Sequence, residues 1–385
     1  MIYYLKEDVY TAALNRVRYL FDEFDEVIAT ISGGKDSTVI FNLCLQVARD
    51  RNRLPLKTIF IDQEAEWQHT IDYVRSIMEM PEVFPVWYQM PIKIFNATSH
   101  QADWLYCWKE GEKWMREKEQ NSIKVNNYGT DRFNELFTAI IKKDFAGKKV
   151  CEIGGVRAEE NPKRRLGLTC TETYKGITWG KVLSKKDDQY TFYPIYDWSY
   201  TDVWHYICKF NLPYNKIYDF QYSFGLPINK MRVSNLHHET ALHSLEYAQE
   251  FERDTWNKLV ERLDGVNSIK HLQDESMMCP KELPYMFSTW KEYRDYLLEK
   301  MVLEPHKKEM RHRFLLMDIK YDGMKSKKLM YRAQITSILV NDYYMTKIDN
   351  FERRPDLMVW RKFKKTGKIQ DRDRNNPYIF GNQEE

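Results

Sequence analysis

A chain of 385 residues with 43% hydrophobic and 15% aromatic side chains has ample material for a packed core, which excludes a disordered polymer. Its formal net charge of +3 gives no chain-wide signal for a polyanion, although the segment from Lys300 onward is basic and the remainder slightly acidic. Six scattered cysteines with no CxxC pair argue against a disulfide framework, and no apolar stretch is long enough to span a bilayer, so the cytoplasm is the expected compartment and no membrane partner is expected.

The first element expected is a charged helix over Lys6–Glu26, with Val9, Ala13, Val17, Leu20, Phe21 and Phe24 on one side. Val27–Ile31 then reads as a short buried strand. Ser32-Gly33-Gly34 breaks it, and from Ser37 the apolar residues Val39, Ile40, Leu43 and Val47 recur at helical spacing. A second strand, Leu56–Asp62, ends in Asp62-Gln63-Glu64-Ala65-Glu66, followed by a helix over about 67–78 and a third strand over 83–90. Residues 95–134 leave this rhythm. With Trp104, Tyr106, Trp108 and Trp114 among many charges, they read as a helical insertion, Trp104 and Trp108 sharing one face at a spacing of four. Two further strands are expected, at 149–155 and from Thr191 into an exit loop ending at Trp198, with Ser199 or Thr201 capping a helix over 202–210. From about Ser234 the pattern is helical to residue 340.

Alternating strands and helices imply a mostly parallel, doubly wound α/β sheet. The expected organisation is an α/β domain over 1–235, carrying the insertion at 95–134, and a mainly helical domain over 236–385.

The turn after the first strand concentrates chemistry. A strand, a glycine turn and a helix aim backbone N–H groups and the positive helix end at one point, which suits an anion. Gly33 and Gly34 let the backbone approach a phosphate, Ser32, Ser37 and Thr38 add hydroxyls, and Lys35 adds a charge. It is not a Walker A loop: Ala29 stands where that motif needs glycine, and Asp36 where it needs Ser or Thr. A second constellation, from Gly155 and Arg157 through Glu160 to Lys163, Arg164 and Arg165, follows a strand and so falls on the same sheet edge. Asp62 and Gln63 end the neighbouring strand, where open α/β sheets place their ligands.

Ser32-Gly33-Gly34-Lys35-Asp36-Ser37 resembles the PP-loop of the superfamily of ATP pyrophosphatases and sulfonucleotide (phosphoadenosine phosphosulfate, PAPS) reductases, the adenine nucleotide alpha hydrolase-like fold. Gly155, Arg157, Glu160 and Arg164 match the reductases' second motif, with Asn161 in place of its serine. The stretch from Pro194 through Asp202-Val203-Trp204 to Leu212-Pro213-Tyr214-Asn215 is similar to the segment after their last core strand. The whole pattern, with the aromatic insertion and Asn229-Lys230-Met231-Arg232, is similar to the immunoglobulin-binding-regulator A branch of bacteria and phages, whose members are often found beside a ParB-like partner.

The resemblance implies an adenine nucleotide, ATP rather than PAPS, bound by Ser32, Gly33, Gly34, Lys35, Asp36, Ser37, Thr38, Gly155, Arg157, Lys163 and Arg164, with Asp62 or Gln63 near the ribose or adenine. Lys35, Asp36, Arg157 and Arg164 would carry the chemistry, cleavage between the α and β phosphates with adenylylation of an acceptor, and Asp36 would meet Mg²⁺ arriving with the nucleotide. A working reductase needs a cysteine near its C-terminus, and no cysteine follows Cys279. The cysteines of an iron–sulfur cluster are also missing, so neither that cluster nor that redox mechanism is expected. His237, His238 and His243 do not share a helical face, so zinc is not expected. The alternative is a nucleotide-sensing regulator that binds a ParB-like partner, or nucleic acid through the basic C-terminal end, where Lys325, Lys327, Lys328, Arg332, Arg353, Arg354, Arg361, Lys362, Lys364, Lys365 and Lys368 interleave with Tyr331, Phe351, Trp360 and Phe363.

Overall fold

The structure is a computed structural model that describes residues 5–96, 104–160, 164–165, 168, 172–233, 235–236, 242–266, 279–324 and 327–367. The described residues of Met1–Ile94, Tyr106–Leu236 and Gln249–Lys258 form one compact unit, and those of Phe95–Leu105, His237–Ala248 and Leu259–Glu385 a second. A piece of helix C-terminal to residue 235 therefore belongs to the first unit.

The first unit is built on a six-stranded sheet. Its strands are β1 (Glu26–Thr30), β2 (Leu56–Ile61), β3 (Val83–Tyr88), β6 (Val150–Ile153), β7 (Gly180–Ser184) and β8 (Gln189–Phe192), in the spatial order β3-β2-β1-β6-β8-β7. Five strands run parallel, and only the edge strand β7 is antiparallel, to β8. Ala29 in β1 sits between Thr58 of β2 and Ile153 of β6. The chain builds outward from β1 through β2 to β3, then returns to the other side of β1. The strand order reverses between β1 and β6, which makes that crevice the topological switch point of the sheet.

The expected parallel α/β sheet is therefore the observed one, to within a few residues at each end. Helices α1 (Val9–Glu23), α2 (Lys35–Asp50) and α3 (Gln68–Met78) lie where the apolar periodicity puts them. With Val27, Ala29, Ile31, Cys151, Ile153 and Phe192 from the sheet they enclose one apolar cluster. Helix α4 (Phe133–Asp144) turns Leu136, Ile140 and Ile141 inward. Ser199 opens α5 (Tyr200–Lys209) with a capping box to Asp202, and α6 (Ile217–Ser223) follows.

The insertion departs from expectation. Its described residues hold no helix before α4; instead β4 (Ile92–Phe95) pairs with β5 (Trp104–Cys107) in a two-stranded sheet. The reason is tertiary hydrogen bonding. The Glu64 carboxylate accepts from the backbone N–H groups of Trp108 (2.7 Å) and Met115 (3.2 Å), which replaces the bonds a helix would make. Trp104 and Trp108 share no helical face: Trp104 packs on the Tyr344 ring, whereas Trp108 is fully buried and donates its indole N–H to the Asp62 carbonyl.

The second unit is helical, as expected. Helices α7 (Leu242–Phe251) and α8 (Arg253–Arg262) are divided between the units, Gln249–Lys258 belonging to the first, and α9 (Trp290–Met301), α10 (Glu304–Lys320), α11 (Lys328–Leu339), α12 (Thr346–Glu352) and α13 (Pro355–Thr366) follow in the second. Thr289 caps α9, and Pro residues open α10 and α13, where a missing N–H costs nothing. Its core gathers Met310, Phe314, Met317, Tyr321, Met330, Ile335, Ile338 and Ile348. Among the described residues no helix is long and apolar enough to cross a membrane.

Candidate functional site

Strand β1 ends at Thr30, and the chain turns through Ser32, Gly33 and Gly34 into α2. Gly33 has φ +70°, and a Cβ there would lie 2.6 Å from Thr70 Cγ2 on α3, so only glycine fits. Gly34 is the N-cap and supplies no side-chain cap to the first turn. Its carbonyl accepts from the hydroxyls of Ser37 (2.9 Å) and Thr38 (3.0 Å), while Ser32 N–H donates to Ser37 Oγ at 3.2 Å. The three hydroxyl residues thus first fix the shape of the turn. Tyr73 of α3 adds a hydrogen bond to Thr38 Oγ1 at 2.9 Å.

The second predicted loop meets the first directly. A Cβ on Gly155 would stand 2.8 Å from the carbonyl carbon of Asp36 and 2.9 Å from the Ser37 nitrogen, so backbone lies against backbone there. Arg157 is buried, and its Nε donates to Asp36 Oδ1. Its Nη1 donates to Glu159 Oε2 at 2.9 Å. The guanidinium expected to face a leaving group is committed to two carboxylates of the protein; it holds the second loop onto the first turn of α2. Arg164 pairs with Glu160. Lys163, with Asn161 and Pro162, lies outside the described residues.

Lys35 is buried too. Its Nζ donates to the Met231 carbonyl at 3.2 Å and lies 3.4 Å from Asp36 Oδ2. Burial depresses its ammonium, the Arg157 and Arg232 charges add to that, and Asp36 opposes it. With Arg157 on Oδ1 and Lys35 on Oδ2, Asp36 is a bridge between two cations, an arrangement that does not fit the expected Mg²⁺ contact. Among the described residues no group of three or more His, Cys, Asp or Glu is placed to hold a metal ion. His237 and His238 lie outside the described residues.

Sequence reading missed the brace around this loop. Asn215 Nδ2 donates to the Gly33 carbonyl at 3.0 Å and to Thr70 Oγ1 at 2.9 Å. The Tyr218 hydroxyl accepts from the Lys35 N–H at 3.0 Å. Both lie in the stretch after Pro213 that periodicity alone reads as packing. The signal available was the run of polar and aromatic residues where a plain helix–helix link would need none.

The end of β2 also differs from expectation. Asp62 was expected near a ribose or adenine. Its carboxylate is fully buried and already accepts four bonds: from Glu64 N (2.8 Å), Arg116 Nη2 (2.6 Å), Trp87 Nε1 (2.9 Å) and Gln89 Nε2 (2.9 Å). Such a saturated carboxylate organises the strand end and has no lone pair left for a ligand. Gln63 beside it is half-buried. Glu66, buried nearby, accepts from Asn235 Nδ2 at 2.9 Å; burial and then the Asp62 charge push its carboxyl up to about 8. Glu252 of the first unit accepts from the N–H groups of Gln68 (2.6 Å) and His69 (3.0 Å), capping α3 where Trp67 cannot.

At the basic end, Phe351 and Trp360 are buried in the core of the second unit, and Tyr331 and Phe363 pack against it. These rings are turned inward, away from the base-stacking role expected of them. Arg361 donates to the Glu352 carbonyl and Lys364 to the Ile319 carbonyl, whereas Lys362 and Lys365 are exposed. Lys325 and Lys368 lie outside the described residues.

Two family models match the chain. The phosphoadenosine phosphosulfate reductase domain matches residues 26–224, and a domain of unknown function, DUF3440, matches 225–364. The chain is 27% identical over 274 residues to the uncharacterized protein YbdN of Escherichia coli K12, covering 68% of this chain and 66% of that protein. It is 29% identical over 191 residues to the uncharacterized protein MJ0973 of Methanocaldococcus jannaschii, covering 49% of this chain and 38% of that protein. It therefore spans just under two thirds of the length of the first and well under half of the second. Adenosine 5′-phosphosulfate reductase of Geobacillus thermodenitrificans is 23% identical over 212 residues, 54% of this chain and 74% of that enzyme. Among solved structures, an FMN adenylyltransferase of Candida glabrata in complex with FMN and the ATP analogue AMPCPP aligns at TM-score 0.35 and 15% identity, over 57% of this chain and 64% of that one. The PAPS reductase of Candida auris in a phosphate complex aligns at TM-score 0.35 and 14% identity, over 62% and 98%. With more than half of its length matched, from β1 through α6, this chain belongs to the phosphoadenosine phosphosulfate reductase domain family.

Proposed function

We propose that the first unit binds an adenine nucleotide, ATP in preference to PAPS, and cleaves it between the α and β phosphates, passing the adenylyl group to an acceptor. One observation carries this reading: the Ser32–Thr38 turn joins the central strand to a helix N-terminus whose N-cap, Gly34, supplies no side-chain acceptor, beside the switch point, with Gly155 closing one side. Ser32, Gly33, Gly34, Ser37 and Thr38 hold the phosphates, with Lys35, Lys163 and Arg164 supplying positive charge. Arg157 and Asp36 act as positioning residues that keep the two loops together. The reductase relatives are named for adenosine 5′-phosphosulfate, an adenine nucleotide, in line with this reading. The test is calorimetry of ATP and of PAPS on wild type and Gly34→Val, with pyrophosphate release measured in parallel. Affinity lost in the variant supports the site; equal affinities sink it.

A second reading is a nucleotide-sensing regulator of the immunoglobulin-binding-regulator A kind, docking a ParB-like protein or nucleic acid without turnover. The exposure of Lys362 and Lys365 on α13 favours it. ATP binding without pyrophosphate release, together with salt-sensitive anisotropy that falls in Lys362→Ala/Lys365→Ala, would select it.

A further inference from the structure

The crevice between β1 and β6 contains one ionisable group that nucleotide binding leaves without a task. Glu152, the third residue of β6, is the register partner of Ile28 on β1 and of Thr191 on β8. Strand alternation sends its side chain to the face opposite the apolar cluster that holds Cys151 and Ile153. Thr30 Oγ1 donates to its Oε1 at 3.5 Å and to the Ile153 carbonyl at 3.0 Å, and the Thr191 hydroxyl also bonds the carboxyl. Among the described residues it makes no ion pair with a Lys, Arg or His. A half-buried carboxylate in an internal strand, hydrogen-bonded by hydroxyls alone among the described residues, is uncommon, because withdrawal from water penalises its charge.

The surroundings are otherwise quiet. The titratable group facing Glu152 is Tyr193, just beyond β8, and Arg164 in turn faces Tyr193; the neighbouring Cys151 thiol points to the opposite face of the sheet. From β1 comes the Thr30 hydroxyl and from β8 that of Thr191. Burial pushes the Glu152 carboxyl up to about 7, against the pull of the two hydroxyls. Only Ile153 and Gly154 separate it from Gly155, which touches the first turn of α2. Gly154 lies under the Tyr193 ring, where a Cβ would stand 3.3 Å from Cε1 and 3.9 Å from Thr30 Oγ1.

We propose that Glu152 is the proton acceptor of the acceptor subsite, receiving the proton of the hydroxyl or amine that attacks the α-phosphorus of a nucleotide held at the Ser32–Thr38 turn. This rests on the adenylyl-transfer reading above. The nucleophile's lone pair forms the new bond to phosphorus. The bond from the α-phosphorus to the bridging oxygen breaks, and its electron pair leaves with pyrophosphate. The nucleophile's proton passes to the Glu152 carboxylate and from there to water. No oxidant or reductant is required. The hydroxyls of Thr30 and Thr191 keep the carboxylate oriented, and the near-neutral titration suits a base working near pH 7.

The test measures pyrophosphate release from ATP by the full chain between pH 5.5 and 9, with water and with hydroxylamine as probe acceptors. ATP affinity is followed by calorimetry. In wild type the rate should rise along a curve with its midpoint near pH 7. Glu152→Gln should flatten that curve and lower the rate by about 100-fold or more, with ATP affinity within about threefold of wild type. Glu152→Asp, which keeps the charge but shortens the reach, should retain the pH curve at a reduced rate. Wild-type rate and profile in both variants would overturn the role of Glu152 and leave adenylyl transfer standing. ATP binding with no pyrophosphate release from wild type, by either probe, would overturn the adenylyl-transfer reading and this proposal with it. Should the Gln variant not fold, the Asp variant decides: an unchanged rate and profile overturns the proposal, and a lower rate on the same curve supports it.

Discussion

Arg157 donates through Nε to Asp36 Oδ1, so the loop after β6 is tied to the first turn of the helix after β1. Both partners are largely withdrawn from solvent, with side-chain exposures of 5% and 14%. Removing one member of such a pair leaves the other charge buried, which costs about 3–5 kcal/mol. Arg157→Ala should lower stability by about that amount in urea unfolding followed at the tryptophans. Arg157→Lys should recover little of it, because a lysine cannot serve Asp36 and Glu159 with a planar fork. A variant within about 0.5 kcal/mol of wild type would show that the two loops are held by other contacts.

The glycines of the two loops should differ sharply. At Gly34 the nearest atoms to a new Cβ are Ser32 Oγ and Tyr218 Oη, both at an ordinary 3.5 Å, and its φ is negative. Gly34→Ala should therefore fold with stability within about 1 kcal/mol of wild type. Gly155→Ala sets a methyl group 2.8–2.9 Å from the Asp36 backbone, which cannot swing aside. Overpacking of this kind costs about 1–3 kcal/mol, and ATP affinity should fall with it. Thermal melts of the two variants side by side settle the matter, and equal melting temperatures would contradict the close approach.

Glu66 gives the fold a pH dependence of unusual sign for a carboxyl. Its folded value of about 8 lies above the ordinary carboxylate range, so between about pH 4.5 and 8 the folded state holds a proton that the unfolded state has released. The contribution of this group is fully present below the unfolded value and declines as pH rises through that window. Glu66→Gln keeps the side-chain shape and an acceptor for Asn235. It should flatten this part of the stability curve and leave the variant more stable than wild type at pH 8. Denaturation midpoints at pH 5, 6.5 and 8 check this, and parallel curves for wild type and variant would refute it.

The thiols predict a negative result for sulfite chemistry. Cys44, Cys107, Cys151 and Cys279 are buried, and burial raises the thiols of Cys44, Cys151 and Cys279; Cys208 is exposed. A thiol buried in apolar surroundings is a poor nucleophile. Native alkylation read site by site in a mass spectrometer should label Cys208 at least about tenfold faster than Cys279. The protein should release no sulfite from PAPS with thioredoxin. Sulfite formed by wild type and lost in Cys279→Ser would make Cys279 the nucleophile after all.

The local features were legible in the chain. Val27–Ile31 is a buried strand because it is a short apolar run, and Ser32-Gly33-Gly34 breaks it because two adjacent glycines favour a turn, in which Gly33 takes φ +70°. The helices follow from apolar spacing and from caps such as Ser199 with Asp202. Those are nearest-neighbour effects, and a sequence carries them openly. Three matters were decided only by the tertiary structure. Asp62 reads as a free acid at a strand end, yet Trp87, Gln89 and Arg116 arrive from distant positions to saturate it. Trp104 and Trp108 read as one helical face, yet Glu64 captures the Trp108 and Met115 amides and draws the chain out of helical geometry. Glu152 reads as one charge in a strand, and becomes a candidate base only because the sheet order sets β6 beside β1 with hydroxyls as its neighbours. A carboxylate's role depends on which donors surround it and how much water it keeps, and both are set by chain segments far away in sequence.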